Sequence, residues 1–378
     1  MRSGPPLQNE IYQAIRKRIL AREFTPGSQL PTEQKLAEQL HVSRITVHRA
    51  LQKLAQEGFI LRYPGKGSFV ADKYSADFSS KSIQSEGNRP LIGFILPDVT
   101  DDFGIDVLTS AIAQAEAANW SVLVSFTNQS QEAEETAIRR AVQAGVNGLL
   151  VNPVYGEFYN EALLRLHVEN FPLVLVDKRL DKIHVPYVTT DNHTAAYELT
   201  KHLIDLGHRQ IGFISPGVTA TATLEDRFAG YLAALEDHGI PYEPPLNLST
   251  LPTGGAVNSP DGPEVRRTIQ NYLAQHNELT AVVATEYVFA SILDDICREM
   301  NLSIPDDLSV VCFDSPKLAH RGEFTHIAQE QKQIGAKAVD MLLRIIREEK
   351  SDDETSILLP GKLVTGRSSA APSVCGMI

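Results

Sequence analysis

Between residues 7 and 22 the apolar residues Ile11, Ile15 and Ile19 recur every fourth position, with Arg16, Lys17 and Arg18 among them. That spacing predicts a helix with one buried face. Thr25-Pro26-Gly27 breaks it. A second helix is expected from Thr32, which follows Pro31 and can cap a first turn, with Glu33 next and LAEQL further on. His41-Val42 turns the chain. Ser43 is placed to cap a third helix, RITVHRALQKLAQE, and Gly58 stops it. Two short helices about a tight turn are a helix-turn-helix signal. FILRY and SFVAD then predict two short strands, joined through Pro64-Gly65-Lys66-Gly67 as a hairpin tip, or wing.

The stretch 72–89, DKYSADFSSKSIQSEGNR, has no sustained period and is rich in Ser, the composition of a flexible tether. From Pro90 the pattern changes. LIGFIL, SVLVSF, GLLVNP, LVLVDK, IGFIS, AVVAT and SVVCFD are short apolar runs, most of them separated by helical stretches. Such alternation predicts an α/β body of parallel sheets whose strands are buried on both faces. In such sheets ligands bind beyond the carboxyl ends of the strands. That rule nominates Asp98, Asp101 and Asp102 after the first strand and Asn152 after the third. It adds Asp177, Lys178 and Arg179 after the fourth, then Glu286, Tyr287 and Asp314 after later ones. Carboxylates accept two hydrogen bonds at once, which suits vicinal hydroxyls, and Lys and Arg complement them as donors. Phe103 offers an aromatic face to a sugar ring. Any one of these residues could simply cap a helix and face water; as a set they point to a ligand cleft.

The net charge of −12 argues, taken alone, against a nucleic-acid partner. Its distribution reverses that. Residues 1–75 hold 12 Lys and Arg against 6 Asp and Glu, a balance of +6, and the rest of the chain carries −18. A basic head on an acidic body is the footprint of a DNA-binding module joined to a domain with another partner. The third helix can present Arg44, Thr46, His48 and Arg49. Arg donates two hydrogen bonds to the acceptor edge of guanine, and hydroxyls suit phosphates or bases. Helix N-termini, here at Thr32-Glu33 and at Ser43, bind phosphate through free N–H groups. Gly65 and Gly67 around Lys66 let the wing approach a DNA backbone closely.

Several classes are set aside. No apolar stretch is long enough to span a membrane, and no apolar signal segment follows Met1, so a cytoplasmic protein is expected. Cys297, Cys312 and Cys375 match no zinc spacing and read as free thiols. His193, His202 and His208 fit no compact metal site. There is no P-loop, G-x-S-x-G or HExxH, so neither an enzyme nor a bound cofactor is expected. A solute-binding protein feeding a transporter is the alternative that the body alone would fit.

Residues 7–71, with PGSQLPTEQKLAEQLHVSRITVHRALQKLAQEGFI and GKGSFV, resemble the winged helix of the GntR family. In that family an Arg commonly stands where this chain has His48. Residues 90–370 resemble the sensor of the LacI/GalR family, which is similar to type I periplasmic sugar-binding proteins. The segments VDKRL, VTTDNHTAAYELTKHLIDLGHRQIGFIS, EDRFAGYLAAL, IPDDLSVVCFD and IAQEQKQIGAKAVDMLL carry this resemblance. It implies two lobes joined by three crossovers, and effector contacts at Asp177, Arg227, Glu286, Asp314 and Gln329. Asp191, within the second of those segments, is a further candidate. At Glu286 the family more often shows Asn or Asp. PYEPPLNLSTLPTGGAVNSPDGP looks like a surface insertion. The combination resembles the arabinose-repressor type of regulator.

The expected organisation is thus a winged helix-turn-helix over 1–71, a linker over 72–89 and a two-lobed α/β sensor over 90–378. Lobe 1 is expected to take about 90–190 and 330–350, and lobe 2 about 191–329 and 351–370. The expected partners are operator DNA, a neutral mono- or disaccharide, and a second copy of the chain.

Overall fold

The computed structural model describes residues 7–21, 23–25, 27–56, 59–63, 67–71, 89–154, 160–217, 221–252, 262–316, 324–349 and 356–373. Two compact units divide the chain, Met1–Asn88 and Arg89–Ile378. The tether at 72–88 and the wing-tip residues Gly65 and Lys66 lie outside the described residues, as does Cys375.

In the first unit, helices α1 (Leu7–Leu20), α2 (Glu33–Leu40) and α3 (Arg44–Gln56) precede an antiparallel pair, β1 (Ile60–Tyr63) and β2 (Gly67–Val70). The predicted face of α1, Ile11, Ile15 and Ile19, is buried against Leu36, Val47, Leu51, Leu54 and Ile60. Thr32 caps α2 by accepting the Lys35 N–H at 3.3 Å. His41, at φ 52°, ends that helix in the left-handed region, so α3 can start three residues later. Ser43 Oγ accepts the Thr46 N–H at 3.2 Å and so caps α3.

The second unit holds two six-stranded sheets. The first contains β3 (Leu91–Leu96), β4 (Ser121–Phe126), β5 (Gly148–Val151), β6 (Leu173–Val176), β7 (Tyr187–Thr190) and the late strand β13 (Ser356–Leu359), in the order β13-β7-β6-β5-β3-β4. The second contains β8 (Ile211–Pro216), β9 (Asn247–Leu251), β10 (Ala281–Ala284), β11 (Ser309–Phe313), β12 (Thr325–Ala328) and β14 (Lys362–Val364). Its order is β14-β12-β11-β10-β8-β9. All neighbours run parallel except β12 and β14. Central strands such as GLLV, LVLV and AVVA are buried at every position, as strands with helices on both faces must be.

Helices α4 (Ile105–Ala117), α5 (Gln131–Gln143), α6 (Glu161–Val168) and α11 (Gln331–Ile346) belong to the first lobe. Helices α7 (Asn192–Asp205), α8 (Ala222–Asp237), α9 (Gly262–Gln275) and α10 (Tyr287–Glu299) belong to the second. In each lobe one glycine lets two helices meet. A Cβ at Gly335 of α11 would come within 2.1 Å of the Val107 carbonyl of α4, and one at Gly230 of α8 within 2.1 Å of the His193 carbonyl of α7. The chain passes between lobes after β7, after β12 and after β13.

Two expectations need correcting. Residues 356–359, placed by the sequence reading in lobe 2, pair with β7 and extend the lobe 1 sheet, with Ser356 opposite Tyr187 and Leu359 opposite Thr190. An edge strand half exposed to water carries little apolar signal of its own, and its partner lies far away in sequence. Part of the supposed surface insertion is also structural, since Asn247–Leu251 is the edge strand paired with β8. Residues 253–261 of that stretch lie outside the described residues.

Candidate functional site

On the head, α3 carries the side chains expected to reach DNA. Arg44 stands out with its side chain 73% exposed, and His48 and Arg49 are exposed too. The Ser43 and Thr46 hydroxyls lie 2.8 Å apart and form a hydrogen bond with each other. Glu33 was expected among the DNA contacts, but its carboxylate turns to protein partners. It accepts from His48 Nδ1 at 2.8 Å, from Arg62 of β1 at 2.7 Å and, more weakly, from Arg44 Nε at 3.4 Å. Burial works to raise the Glu33 carboxyl, but the bond and charge of His48, then Arg44 and Arg62, outweigh it and hold it below the usual carboxylate range. Glu33 therefore fastens two recognition-helix side chains to the wing strand. Glu33→Gln is expected to lower operator affinity roughly two- to five-fold, the scale of a partly exposed ion-pair network. Gel shift at fixed salt measures it. An affinity that rises would show that Glu33 does no more than repel phosphate.

In the body, a cavity of about 560 Å³ opens at the carboxyl ends of both sheets. From lobe 1 it is lined by Asp98, Thr100, Asp102, Phe103, Gln129 and Asp177, and from lobe 2 by Thr223, Arg227, Glu286, Tyr287, Val288, Ser291 and Asp314, with Gln329 at a crossover. Asp177 and Asp314 hold matching positions in the two lobes. Each directly follows the third strand of its sheet, β6 or β11, and each has a left-handed backbone, at φ 68° and 61°. Backbone bonds fix both turns, Asp177 N–H to the Val188 carbonyl and Asp314 N–H to the Ile327 carbonyl, at 2.9 Å each. Asp is among the residues that tolerate this conformation.

Arg227 sits among these carboxylates, itself buried. Its Nε donates to Asn192 Oδ1 at 2.8 Å and one terminal nitrogen to the Thr285 carbonyl at 2.5 Å, and its guanidinium lies 3.8 Å above the Phe313 ring. Gln329 Nε2 donates to Asp314 Oδ2 at 2.7 Å while its Oε1 accepts from Thr190 at 2.6 Å. Burial pushes the Asp314 carboxyl up to about 7; Arg227 and Gln329 oppose this, and the charges of Asp102 and Asp177 add to it. Burial likewise raises Asp177, against Lys178, Arg227 and Asn152, and raises Asp102. The site is a carboxylate-rich pocket with one central guanidinium, built to accept hydrogen bonds from a ligand more than to donate them.

Seven of the ten residues expected to meet an effector line this cavity: Asp102, Phe103, Asp177, Arg227, Glu286, Asp314 and Gln329. Three do not. Lys178 is buried and not among the lining residues, donating to Asn152 Oδ1 at 2.9 Å and to the Pro153 carbonyl at 3.0 Å, and burial lowers its ammonium against the nearby charge of Asp177. Asn152 is taken up by Lys178 and by the Asp177 carboxyl. Asp191 caps α7, accepting the Thr194 N–H at 3.0 Å. Arg179, also nominated from its strand end, is paired with Asp181 and Asp226. Conversely, Thr100, Gln129, Thr223, Val288 and Ser291 line the cavity without having been singled out. Gln129 obeys the strand-end rule, since it lies just beyond β4; Thr223 and Ser291 sit within helices and carry no such signal. Cys297 and Cys312 are buried free thiols, and His208 is bonded to Thr280 and the Ala370 carbonyl. Among the described residues no helix is long and apolar enough to cross a membrane.

A winged helix-turn-helix head and a two-lobed α/β body with a polar cleft define a DNA-binding transcription regulator. Comparison with known proteins bears this out: residues 7–70 match the family of bacterial regulatory proteins called gntR, and residues 200–369 match a periplasmic binding protein-like domain. The two matches place a gntR-type head before a periplasmic binding protein-like body in one chain. It is 26% identical over 378 positions to the arabinose metabolism transcriptional repressor of Geobacillus stearothermophilus, covering 96% of this chain and 98% of that protein. It is 24% identical to the catabolite control protein A of Priestia megaterium, over 72% of this chain and 79% of that protein. The transcription regulator CcpA of Lactococcus lactis superposes with a TM-score of 0.66 at 21% identity, over 75% of this chain and 100% of that chain. A LacI family regulator from Mycobacterium smegmatis gives 0.63 at 22%, over 75% and 100%.

Proposed function

We propose that the chain is a cytoplasmic, homodimeric repressor that leaves its operator when a neutral mono- or disaccharide occupies the cleft. The observation that carries this reading is the cluster of Asp177, Arg227, Asp314 and Gln329, drawn from both lobes around one cavity. A ligand that hydrogen-bonds to both lobes favours their closure, and a closed sensor coupled to the heads weakens DNA binding. Linkage of this kind is worth ~1–3 kcal/mol and acts in both directions. The relatives named as repressors support the direction of control. The cleft is read as a binding site: Arg227 opposes the charges of Asp177 and Asp314, and Gln329, itself held by Thr190, donates to Asp314. A solute-binding protein would need no Arg44 on an exposed recognition helix.

The test separates head from body. Arg44→Ala is expected to weaken operator binding by about 1–3 kcal/mol, the scale of a bidentate base contact, and to leave sugar affinity untouched. Gel shift and calorimetry on the same protein read the two. Unchanged operator affinity would remove α3 from the role of recognition helix.

A further inference from the structure

Beside the cavity, and not among the residues that line it, an ion pair crosses from one lobe to the other. Arg179 follows β6 in lobe 1, two residues after Asp177. Asp226 lies early in α8 of lobe 2, next to Arg227. Both terminal nitrogens of Arg179 donate to Asp226, Nη1 to Oδ2 and Nη2 to Oδ1, the second at 3.1 Å. This two-pronged geometry is the strong form of an arginine–carboxylate pair. The remaining nitrogen, Nε, donates to Asp181 Oδ1 at 2.8 Å, within the same connection between β6 and β7. Each guanidinium nitrogen is thus engaged, and Asp181 keeps the fork aimed at lobe 2. The two side chains are only 23% and 27% exposed, so salt and water screen them less than a pair on an open surface.

Strand order shows what the pair can do. The crossovers leave from β7, β12 and β13, each at or next to one edge of its sheet. β6 is the third strand from that edge in lobe 1, and β8, which leads into α8, is the fifth in lobe 2. The pair therefore lies to the side of the crossovers, where rotation of one lobe against the other changes the distance between its partners. An N–H···O bond is lost by about 3.6 Å. Opening by about 1 Å breaks at least one prong, so the pair belongs to one arrangement of the lobes.

We propose that Arg179 and Asp226 form a latch that favours the closed arrangement of the unliganded sensor and so sets how much effector is needed for release. This rests on the reading of the body as a sensor that closes on its ligand, and not on the identity of that ligand. A ligand that spans the cleft binds the closed form, so its apparent affinity scales with the fraction of chains already closed. Breaking the latch leaves every cavity-lining residue in place and lowers that fraction. Asp181 is a positioning residue, acting through Arg179.

The test measures the distance between the lobes in the full, unliganded chain. β4 and β9 are the edge strands farthest from the crossovers, and each runs parallel to a neighbour whose carboxyl end meets the cleft. Phe126 and Thr250, both exposed near the ends of these strands, mark the side of the cleft that closure moves most. Spin labels on Phe126→Cys and Thr250→Cys, with Cys375→Ser and the buried Cys297 and Cys312 left in place, report that distance by double electron–electron resonance. Asp226→Asn and Arg179→Gln are each expected to raise the ratio of long to short distances roughly three- to ten-fold, the scale of a partly exposed bidentate pair. Together they should raise it no further than either alone, since each removes the same bond. High sodium chloride should lengthen the distances in the unaltered chain and not in the variants. Melting temperature checks that both variants fold, and the salt series on the unaltered chain needs neither. Distances that salt and both substitutions leave unchanged, or effects of the two that simply add, overturn the latch. Calorimetry with glucose, arabinose, xylose and maltose then separates this inference from the sugar reading. A sugar that binds should bind each variant more weakly, by the factor in which the closed fraction falls. Equal affinity in spite of a smaller closed fraction overturns the latch as a control on sensitivity. If none of these sugars binds, the sugar reading falls, and the distances still decide the latch.

Discussion

Replacing Asp314 by Asn is expected to leave DNA binding intact and to abolish release by the effector, while making the sensor more stable at pH 8. Both halves follow from where this carboxyl sits. It is buried beside Arg227 and Gln329, on the wall where the ligand must make hydrogen bonds. Asn fits the left-handed backbone at φ 61° and can still accept from Gln329, so the turn survives. What it loses is half of its acceptor capacity and, above about pH 7, a charge. A hydrogen bond to a charged group is worth about 1.5–3 kcal/mol, so effector affinity should fall by at least about ten-fold. The stability effect has the opposite sign. The folded carboxyl keeps its proton up to about pH 7, whereas in the unfolded chain it ionises near its usual value of 3.8. Between those values unfolding releases a proton, so this group costs stability progressively as pH rises from about 4 to 7. A shift of about three pH units corresponds to on the order of 4 kcal/mol at pH 8, and Asn removes that cost. Thermal melts of both proteins at pH 5 and pH 8, with calorimetry at each, read the two effects. A variant that melts lower at pH 8, yet still releases DNA when sugar is added, would reduce Asp314 to a local structural role.

Much of this architecture is written in spacing. The face of α1 shows in Ile11, Ile15 and Ile19, and both helix caps of the head show in Thr32 and Ser43, because capping is local chemistry. The parallel strands show because burial on both faces forces unbroken apolar runs, and the rule that ligands gather at strand ends then reaches Asp177 and Asp314 without any analogy. It fails one residue later. Asp177 lines the cleft, whereas its neighbour Lys178, with its ammonium 3.9 Å from the Asp177 carboxylate, is taken up by Asn152 Oδ1 and the Pro153 carbonyl. Strand ends fix the neighbourhood of a residue and leave its partners open. Asp191 illustrates the competition from local chemistry, since a short carboxylate before a helix satisfies its first-turn N–H groups. Glu33 shows the reverse case: its partners Arg44, His48 and Arg62 are 11 to 29 residues away, so no local pattern reveals a network. The attachment of β13 to lobe 1 is hidden for the same reason.

Arg227→Met should produce the largest loss of stability, and one that depends on pH. Met keeps an apolar stem over the Phe313 ring, so the change isolates the charge and its hydrogen bonds. Arg227 is the guanidinium opposing the buried Asp177 and Asp314, and it also satisfies Asn192 and the Thr285 carbonyl. Removing one partner from such a cluster typically costs about 3–5 kcal/mol, because the charges left behind stay buried without compensation. For a domain of this size that is a fall in melting temperature on the order of 10 °C. Loss of the positive charge raises both carboxyls further, and the penalty is greatest at pH 8, above the value of about 7 at which Asp314 ionises. It shrinks as pH falls towards 5 and Asp314 takes up its proton. Combining Arg227→Met with Asp314→Asn should therefore recover part of the loss at pH 8 and almost none at pH 5, a coupling that a double-mutant cycle measures directly. If the loss were equal at both pH values and simply added to that of Asp314→Asn, Arg227 would be acting through Asn192 and Thr285 alone. The two aspartates would then have to be held at the cleft by something other than this charge.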